Sequence, residues 1–248
     1  MITSVDNPRI KEVVRLRRAR VRRREGVLIA EGPREVGRAL AAGLVARAVY
    51  LAPELLPGWE HEHAASDAQH VSAKVLAAMS YRAEPEGVLA VFETPRAELP
   101  QTPTLILVAV DIEKPGNLGA MVRTADAAGA DAVLFAGRYP DPWNPNAIRA
   151  STGAIFTLPI VETTLEDVQA LPLQKVAAVV RAKTTYTSAN LTEPTALIVG
   201  AEDAGLDADW CEAADVQVAI PMHARTADSL NAATSAAILL FEAVRQRG

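Results

Sequence analysis

The sequence contains little cysteine, few aromatic residues and no long apolar run. Its one cysteine, Cys211, excludes an internal disulfide and any metal site built from several cysteines, and no other ligand pattern suggests a metal. Aromatic residues make up 4% of the chain, and no apolar run approaches the roughly eighteen residues of a membrane helix. The opening MITSVDNPRIK also lacks the apolar core of a signal peptide. We therefore expect a globular, cytoplasmic protein that does not contact a membrane.

The distribution of proline predicts two domains. The chain has 248 residues, of which 50% are hydrophobic, which is enough to bury one large core or two small ones. Residues 94–104 hold three prolines and few apolar side chains, as a linker does. The predicted division is a first domain at 1–93, this linker, and a second domain at 105–248.

Alternating apolar and helical segments predict α/β structure in both domains. The first is expected to have helices at 8–24, 34–42 and 73–79 and strands at 27–30, 48–51 and 87–92. The second is expected to have strands at 105–110, 132–136, 155–160, 176–180, 196–199 and 216–220, with helices at 117–128, 144–150, 165–170, 207–213 and 229–246. Because the second set of strands is almost continuously apolar, we predict a mostly parallel sheet covered by helices on both faces.

Positive charge is concentrated at the start of the chain. The net charge is −5, but residues 1–25 hold nine arginines and lysines against three acids. Such a basic arm on an acidic body is typical of proteins that bind a phosphate backbone. Arg22, Arg23 and Arg24 are therefore candidate RNA-binding residues. The alternative is a solvated helix with surplus charge.

The first candidate site follows the strand at 105–110. The segment DIEKPGNLGAMVRTA turns through a Pro-Gly pair and enters a helix that Asn117 could cap. Arg123 lies about one and two-thirds turns further on, and could equally point harmlessly outward. The turn contains neither G-x-G-x-x-G nor a Walker sequence, which argues against a dehydrogenase or an NTPase.

Two further strand-to-helix junctions carry polar residues. In LIVGAEDAGL, Glu202 follows a buried strand at the edge where open α/β sheets bind ligands, and could also cap the next helix. Ser229 and Asn231 precede the last helix, for which Asp228 or Ser229 is the expected N-cap. The alternative to capping is a cradle for ligand or substrate at the helix N-terminus.

Taken in order, these segments resemble a known family. PGNLGAMVRTADAAGAD, LIVGAEDAGL and IPMHARTADSLNAATSAAILLFEAVRQ look like the successive motifs of the SpoU (TrmH-type) RNA ribose 2′-O-methyltransferases of the SPOUT class. ITSVDNPRIK, VLIAEGPREV and EPEGVLAVF resemble the substrate-binding domain of the ribosomal-RNA branch, which is similar to ribosomal protein L30e. The resemblance covers 3–93 and 105–247.

The resemblance implies a deep trefoil knot in the second domain, bound S-adenosylmethionine, and a homodimer whose interface completes each site. It implies that Arg123 is the catalytic arginine that helps to deprotonate a ribose 2′-hydroxyl. Asn117, Glu202, Ser229 and Asn231 would position the substrate and this arginine. The cofactor would be held near Val199, Gly200, Ile220, Met222 and Leu230.

Two positions depart from the family pattern. Ala201 stands where the second motif often has Asn or Ser, and the loop after Met222 lacks the usual glycine. Both affect the expected cofactor pocket. The prediction is therefore an S-adenosylmethionine-dependent 2′-O-methyltransferase that acts on 23S ribosomal RNA. The alternatives are a transfer-RNA methyltransferase and a non-catalytic, dimeric RNA-binding scaffold.

Overall fold

The computed structural model describes residues 1–59, 67–223, 226 and 228–248. The chain forms two compact units, one of Met1–Arg96 with Trp143–Thr157 and one of Ala97–Pro142 with Leu158–Gly248. The break after Arg96 falls inside the predicted linker. Residues 143–157, predicted as part of the second domain, instead cluster with the first unit, because their helix packs against its first strand.

The first unit is a small α/β structure. Its elements are α1 (Pro8–Arg15), α2 (Ala19–Glu25), β1 (Val27–Glu31), α3 (Pro33–Ala41), β2 (Ala46–Leu51), β3 (Gln69–His70), α4 (Ala73–Met79), β4 (Val88–Glu93) and α6 (Pro145–Ser151). The strands form one sheet in the order β1-β4-β2-β3, antiparallel except for the β2–β3 pair. Its core joins Ile10 and Val13 of α1 to Ile29 and Leu89 of the sheet.

The predicted single helix over 8–24 is wrong. Helix α1 ends at Arg15 and α2 begins at Ala19. The break leaves the carbonyls of Leu16 and Arg17 without helical partners, and the Arg22 guanidinium donates to both, at 2.8 and 3.1 Å. A buried arginine thus stabilises the turn between the two helices.

The second unit has one large parallel sheet, as predicted. Its elements are β5 (Leu105–Val110), α5 (Pro115–Ala127), β6 (Ala132–Ala136), β7 (Ile160–Glu162), α7 (Leu165–Ala170), β8 (Gln174–Ala178), β9 (Thr184–Thr185), β10 (Thr195–Val199), α8 (Ala208–Ala213), β11 (Val216–Ala219) and α9 (Ala232–Arg247). The strand order is β7-β6-β5-β10-β8-β11-β9, and every pair is parallel. The predicted α/β fold class is confirmed.

Two local predictions in this part of the chain are wrong. The expected strand at 155–160 is a 3₁₀ turn at Ala154–Phe156 followed by β7. The last helix begins at Ala232 and its N-cap is Asn231, three residues later than predicted. Among the described residues, no helix is long and apolar enough to cross a membrane. The described residues also contain no cluster of acidic, histidine or cysteine side chains suited to a metal.

The sheet topology brings two of the polar junctions together. Strands β5 and β10 are central neighbours in parallel register, with Val199 opposite Ala109. Because parallel strands end at the same edge, the loop after β5 and the loop after β10 lie side by side. Helix α9 packs against both α5 and β10, which places its N-terminus at the same edge.

Candidate functional site

The carboxylate of Glu202 links three segments of the second unit. Its Oε1 accepts hydrogen bonds from the side-chain amides of Asn117 and Asn231. Its Oε2 accepts from the ammonium group of Lys114 at 2.6 Å. The Ser229 hydroxyl donates to the backbone carbonyl of Glu202 at 3.2 Å. Four of the five residues predicted as catalytic therefore form one hydrogen-bonded cluster.

The cluster keeps Glu202 ionised. Its hydrogen bond with Lys114 is the largest of the effects that lower the pKa of this carboxyl, and the bond from Asn117 and the nearby positive charge lower it further. The same contact raises the pKa of Lys114. Since the Lys114 side chain is 70% exposed and the Glu202 side chain 21%, solvent screens this pair and its main effect is positional. An ionised carboxylate only accepts hydrogen bonds, so the Asn117 and Asn231 amides must both turn their NH₂ groups toward it.

Asn231 has two roles in this arrangement. Its Oδ1 accepts from the backbone N–H groups of Ala233 and Thr234 at 3.0 and 3.3 Å, which caps α9. Its Nδ2 donates to Glu202 and, at 3.3 Å, to Oδ1 of Asn117. The capping and cradle interpretations of this residue are therefore compatible. Asn117 lies in the first turn of α5 and is not its N-cap, because that position belongs to Lys114.

A cavity of about 490 Å³ opens beside the Glu202 cluster. All five residues predicted to bind cofactor line it: Val199, Gly200, Ile220, Met222 and Leu230. The side chains of this set are apolar, while the backbone of Gly200–Gly205 supplies polar groups along one wall. The carboxylates of Glu202, Asp203 and Asp228 also line the cavity and give it negative charge. Such a pocket suits a flat heterocycle that carries a cationic group.

The loop after β10 requires glycine at two positions. A Cβ on Gly200 would lie 2.4 Å from the backbone carbon and oxygen of Gly205, so a side chain there would push the loop open. Gly205 itself has φ +70°, a left-handed conformation that favours glycine. The two glycines of G-x-E-x-x-G thus fold the loop back on itself, with Gly205 N–H donating to the Ala201 carbonyl at 3.0 Å. This fold presents Glu202 to the cluster.

Arg123, the fifth predicted catalytic residue, stands apart from the cluster. It is exposed on α5, and no hydrogen bond or ion pair joins its side chain to another residue in the described part of the chain. Six positions separate it from Asn117, or about 9 Å along the axis and about 120° around it. The structure therefore does not bring Arg123 to Glu202 within one chain.

The three predicted RNA-binding arginines differ from one another. Arg22 is 2% exposed and donates to the Tyr81 hydroxyl at 2.7 Å in addition to the two carbonyls of the turn. It cannot contact RNA in this structure, so its assignment is corrected to a structural role. Arg23 and Arg24 are exposed, and Arg24 pairs with Glu25 at 3.1 Å.

Sequence reasoning missed two residues of the site. Lys114 precedes the proline of the first motif and donates a hydrogen bond to Glu202. Its position shortly after the end of a strand could have identified it as a site residue. Asp111 ends β5 with φ +53°, an uncommon conformation for a residue with a side chain, and accepts from the Arg138 N–H at 2.7 Å. No pattern in the sequence marked this backbone conformation.

Comparison with known proteins agrees with this geometry. Residues 104–241 match the SpoU rRNA Methylase family, and residues 7–90 match the MRM3-like substrate binding domain. A 23S rRNA (guanosine(2553)-2′-O)-methyltransferase of Bacillus subtilis is 29% identical over 97% of both chains.

Solved structures are similar over the full length as well. A crystallised RNA 2′-O ribose methyltransferase is 43% identical, with a TM-score of 0.86 over 99% of this chain and 98% of its own. An AdoMet-bound rRNA methyltransferase from Sinorhizobium meliloti is 30% identical, with a TM-score of 0.88 over 98% of this chain and 97% of its own. The family match covers more than half of the sequence and includes every member of the Glu202 cluster. The chain belongs to the SpoU rRNA methylase family.

Proposed function

We propose that the protein transfers a methyl group from S-adenosylmethionine to a ribose 2′-hydroxyl of 23S ribosomal RNA. The observation that carries this proposal is the Glu202 cluster at the rim of the apolar cavity. It holds Lys114, Asn117 and Asn231 in one orientation at the carboxyl edge of the sheet. Full-length similarity to a 23S rRNA 2′-O-methyltransferase supports the choice of substrate.

The cavity fits the proposed cofactor. S-adenosylmethionine supplies an activated methyl group on a sulfonium, so the protein has mainly to align it and to accept a proton. Val199, Ile220 and Leu230 would hold the adenosine, and the loop at 200–205 would bind its polar edges. The carboxylates of Asp203 and Asp228 would favour its positive charges.

Arg123 is proposed to act on the ribose hydroxyl from a second copy of the chain. It is exposed and separate from the Glu202 cluster of its own chain. Helix α9 also exposes apolar side chains, with Phe241 at 48% and Val244 at 37%. A homodimer that buries this face would bring a partner's arginine to each site. A guanidinium is a poor base, so a nearby phosphate would have to help it take the proton.

The remaining parts of the proposal follow from family membership. They are a deep trefoil knot in the second unit, binding of ribosomal RNA by the first unit through exposed arginines such as Arg23 and Arg24, and a cytoplasmic location. Removing the charges of both arginines should weaken RNA binding. The slope of log binding constant against log salt concentration should fall in magnitude by about one for each phosphate contact that is lost.

The reaction is tested by incubating the purified protein with S-adenosylmethionine and either unmodified ribosomal RNA or transfer RNA. We expect a 2′-O-methylnucleoside from ribosomal RNA alone, detected by mass spectrometry after digestion. The same product from transfer RNA alone would show that the substrate is transfer RNA. The absence of product together with the absence of cofactor binding by calorimetry would favour the scaffold alternative.

A further inference from the structure

A second cavity of about 430 Å³ lies wholly within the first unit, between α1 and the four-stranded sheet. Its floor is apolar and includes Val27, Ala48 and Val91. Three arginines surround it: Arg9 and Arg15 from α1, and Arg47 from β2. We call this cavity the arginine groove. Glu12 and Glu25 also line it, and Arg24 neutralises the second of these at 3.1 Å.

Tyr50 gives the groove an unused hydrogen-bonding group. The residue is 3% exposed, and its side chain forms no hydrogen bond with any of the described residues. Burial raises the pKa of its hydroxyl, while the charge of Arg9 lowers and that of Glu12 raises the same pKa, and both residues line the groove with it. The hydroxyl is not one of the fully buried, unpaired polar atoms of the described residues, so it is accessible to a ligand in the groove that offers it the partner tyrosine hydroxyls normally have.

The arginines around the groove are available to a ligand. The Arg15 side chain has no hydrogen bond or ion pair among the described residues. Among the described residues, Arg47 pairs with Glu93 alone, at 3.4 Å, and both side chains are about half exposed. Arg9 donates to Gln69 at 3.3 Å on the surface. Exposed contacts of this kind contribute about 0–1 kcal/mol each, so a phosphodiester can replace them.

We propose that the arginine groove binds one unpaired nucleotide of an RNA substrate, with its base on the apolar floor and its phosphate between the arginines. Unstacked bases are commonly recognised in this way, by apolar contact and hydrogen bonds to base edges. The Tyr50 hydroxyl and the Glu12 carboxylate would bond the base edge. This inference deepens the proposed function, because it identifies where the first unit reads RNA.

Binding of a short, fluorescent, single-stranded oligoribonucleotide to the full-length protein tests the groove without methyl transfer. Tyr50→Phe should weaken binding about fivefold, because one hydrogen bond to the ligand is lost. Its thermal midpoint should not fall, since the removed hydroxyl has no structural partner. Replacing Arg15 and Arg47 by glutamine should reduce the slope of log binding constant against log salt concentration by about 0.7, because both arginines neutralise the same phosphate.

Lys74→Gln is the matched control, because this exposed lysine of α4 does not line the groove. The affinity of this variant for the oligonucleotide should stay within about twofold of wild type. A duplex of the same sequence should compete poorly. Unchanged binding by Tyr50→Phe and by the double arginine variant overturns the proposal, as does equal competition by the duplex or a wild-type protein that does not bind the oligonucleotide.

Parallel methylation assays separate this proposal from the proposed function. If the wild-type protein methylates ribosomal RNA but Tyr50→Phe does not change oligonucleotide binding, the groove proposal is wrong and the methyltransferase assignment stands. Tyr50-dependent oligonucleotide binding without methylation of any RNA supports the groove and contradicts the methyltransferase assignment.

Discussion

At the scale of single residues, the charge of Glu202 organises the candidate active site. Its carboxylate receives hydrogen bonds from Lys114, Asn117 and Asn231, three residues from two other segments of the chain. Hydrogen bonds that involve a charged group contribute about 1.5–3 kcal/mol, roughly twice as much as neutral ones. The orientation of both asparagine side chains thus depends on one negative charge.

Glu202→Gln should preserve the shape of the site but loosen the orientation of the side chains that bond to Glu202. The glutamine amide has one accepting oxygen, and if this oxygen keeps the bonds from both asparagines, Lys114 faces an NH₂ group and loses its acceptor. We expect methyl transfer to fall by about tenfold to a hundredfold, the equivalent of one or two charged hydrogen bonds. Single-turnover kinetics measure this change, and Glu212→Gln, at an exposed position on α8, is the control. Equal rates for both variants would remove Glu202 from the positioning role.

Arg22→Met should destabilise the first unit. The guanidinium bonds the carbonyls of Leu16 and Arg17 and the Tyr81 hydroxyl. The shorter apolar side chain removes these three bonds and leaves the Leu16 carbonyl unpaired, while the Tyr81 hydroxyl still donates to the Arg17 carbonyl. A loss of about 2–4 kcal/mol in unfolding free energy is expected in urea titrations. Arg23→Met, at an exposed position of the same helix, should change it by less than about 0.5 kcal/mol. If Arg23→Met destabilised the protein more than Arg22→Met, Arg22 would again be a candidate RNA-binding residue.

At the scale of helices and strands, the sequence predicted most elements because their apolar periodicity is local. Five of the six strands expected in the second domain are present. The sixth, expected at 155–160, is a turn that precedes β7. The break between α1 and α2 was missed because it depends on Tyr81, which lies 59 positions from Arg22 in the sequence. The start of α9 was placed too early because Asp228 and Ser229 are also common N-cap residues, whereas in the structure Asn231 caps the helix and contacts Glu202.

The candidate site was predictable to a similar degree. Sequence motifs identified Asn117, Glu202, Ser229 and Asn231, which the fold brings together, and the five residues that line the larger cavity. Lys114 was missed because an exposed lysine is common on any surface. The inward direction of Arg22 was missed because composition does not tell which side of a helix faces the sheet.

The C-terminal turn of α9 should make stability sensitive to acid. Glu242 accepts from Arg245 at 2.9 and 2.7 Å and from Gln246 at 2.8 Å, and these bonds, led by those from Arg245, lower the pKa of its carboxyl from 4.5 to about 2. A lowered pKa in the folded state stabilises the protein above pH 4.5, and this contribution disappears as the pH falls toward 2.

Glu242→Gln should therefore have a lower thermal midpoint than wild type at pH 6, and the difference should shrink steadily from pH 4.5 toward pH 2. Calorimetry across this range measures it. Glu166→Gln, at an exposed position in the first turn of α7, provides the comparison for removal of any carboxylate. Parallel wild-type and Glu242→Gln profiles at every pH would mean that the pair with Arg245 does not form in solution.

At the scale of the whole molecule, the separation of Arg123 from the Glu202 cluster predicts that two chains share each active site. Arg123→Ala should be nearly inactive alone, and Glu202→Gln should keep at most about a tenth of wild-type activity. In a symmetric dimer, mixing them and allowing exchange should recover about a quarter of wild-type activity, because half of the dimers are mixed and each of these has one complete site. If Arg123 acts within its own chain, the mixture will stay inactive, and size measurement by sedimentation will show whether a dimer exists.

The first unit takes its last helix from a distant part of the chain, and this affects how the protein is made. Residues 143–157 emerge from the ribosome about sixty residues after Arg96, a delay of a few seconds at about 5–20 residues per second. During that interval the nascent first unit lacks α6, and the face of β1 that this helix covers stays open to chaperones or to other chains. A gene fragment that ends at Arg96, the obvious choice for producing this unit alone, would encode a protein without one of its own helices.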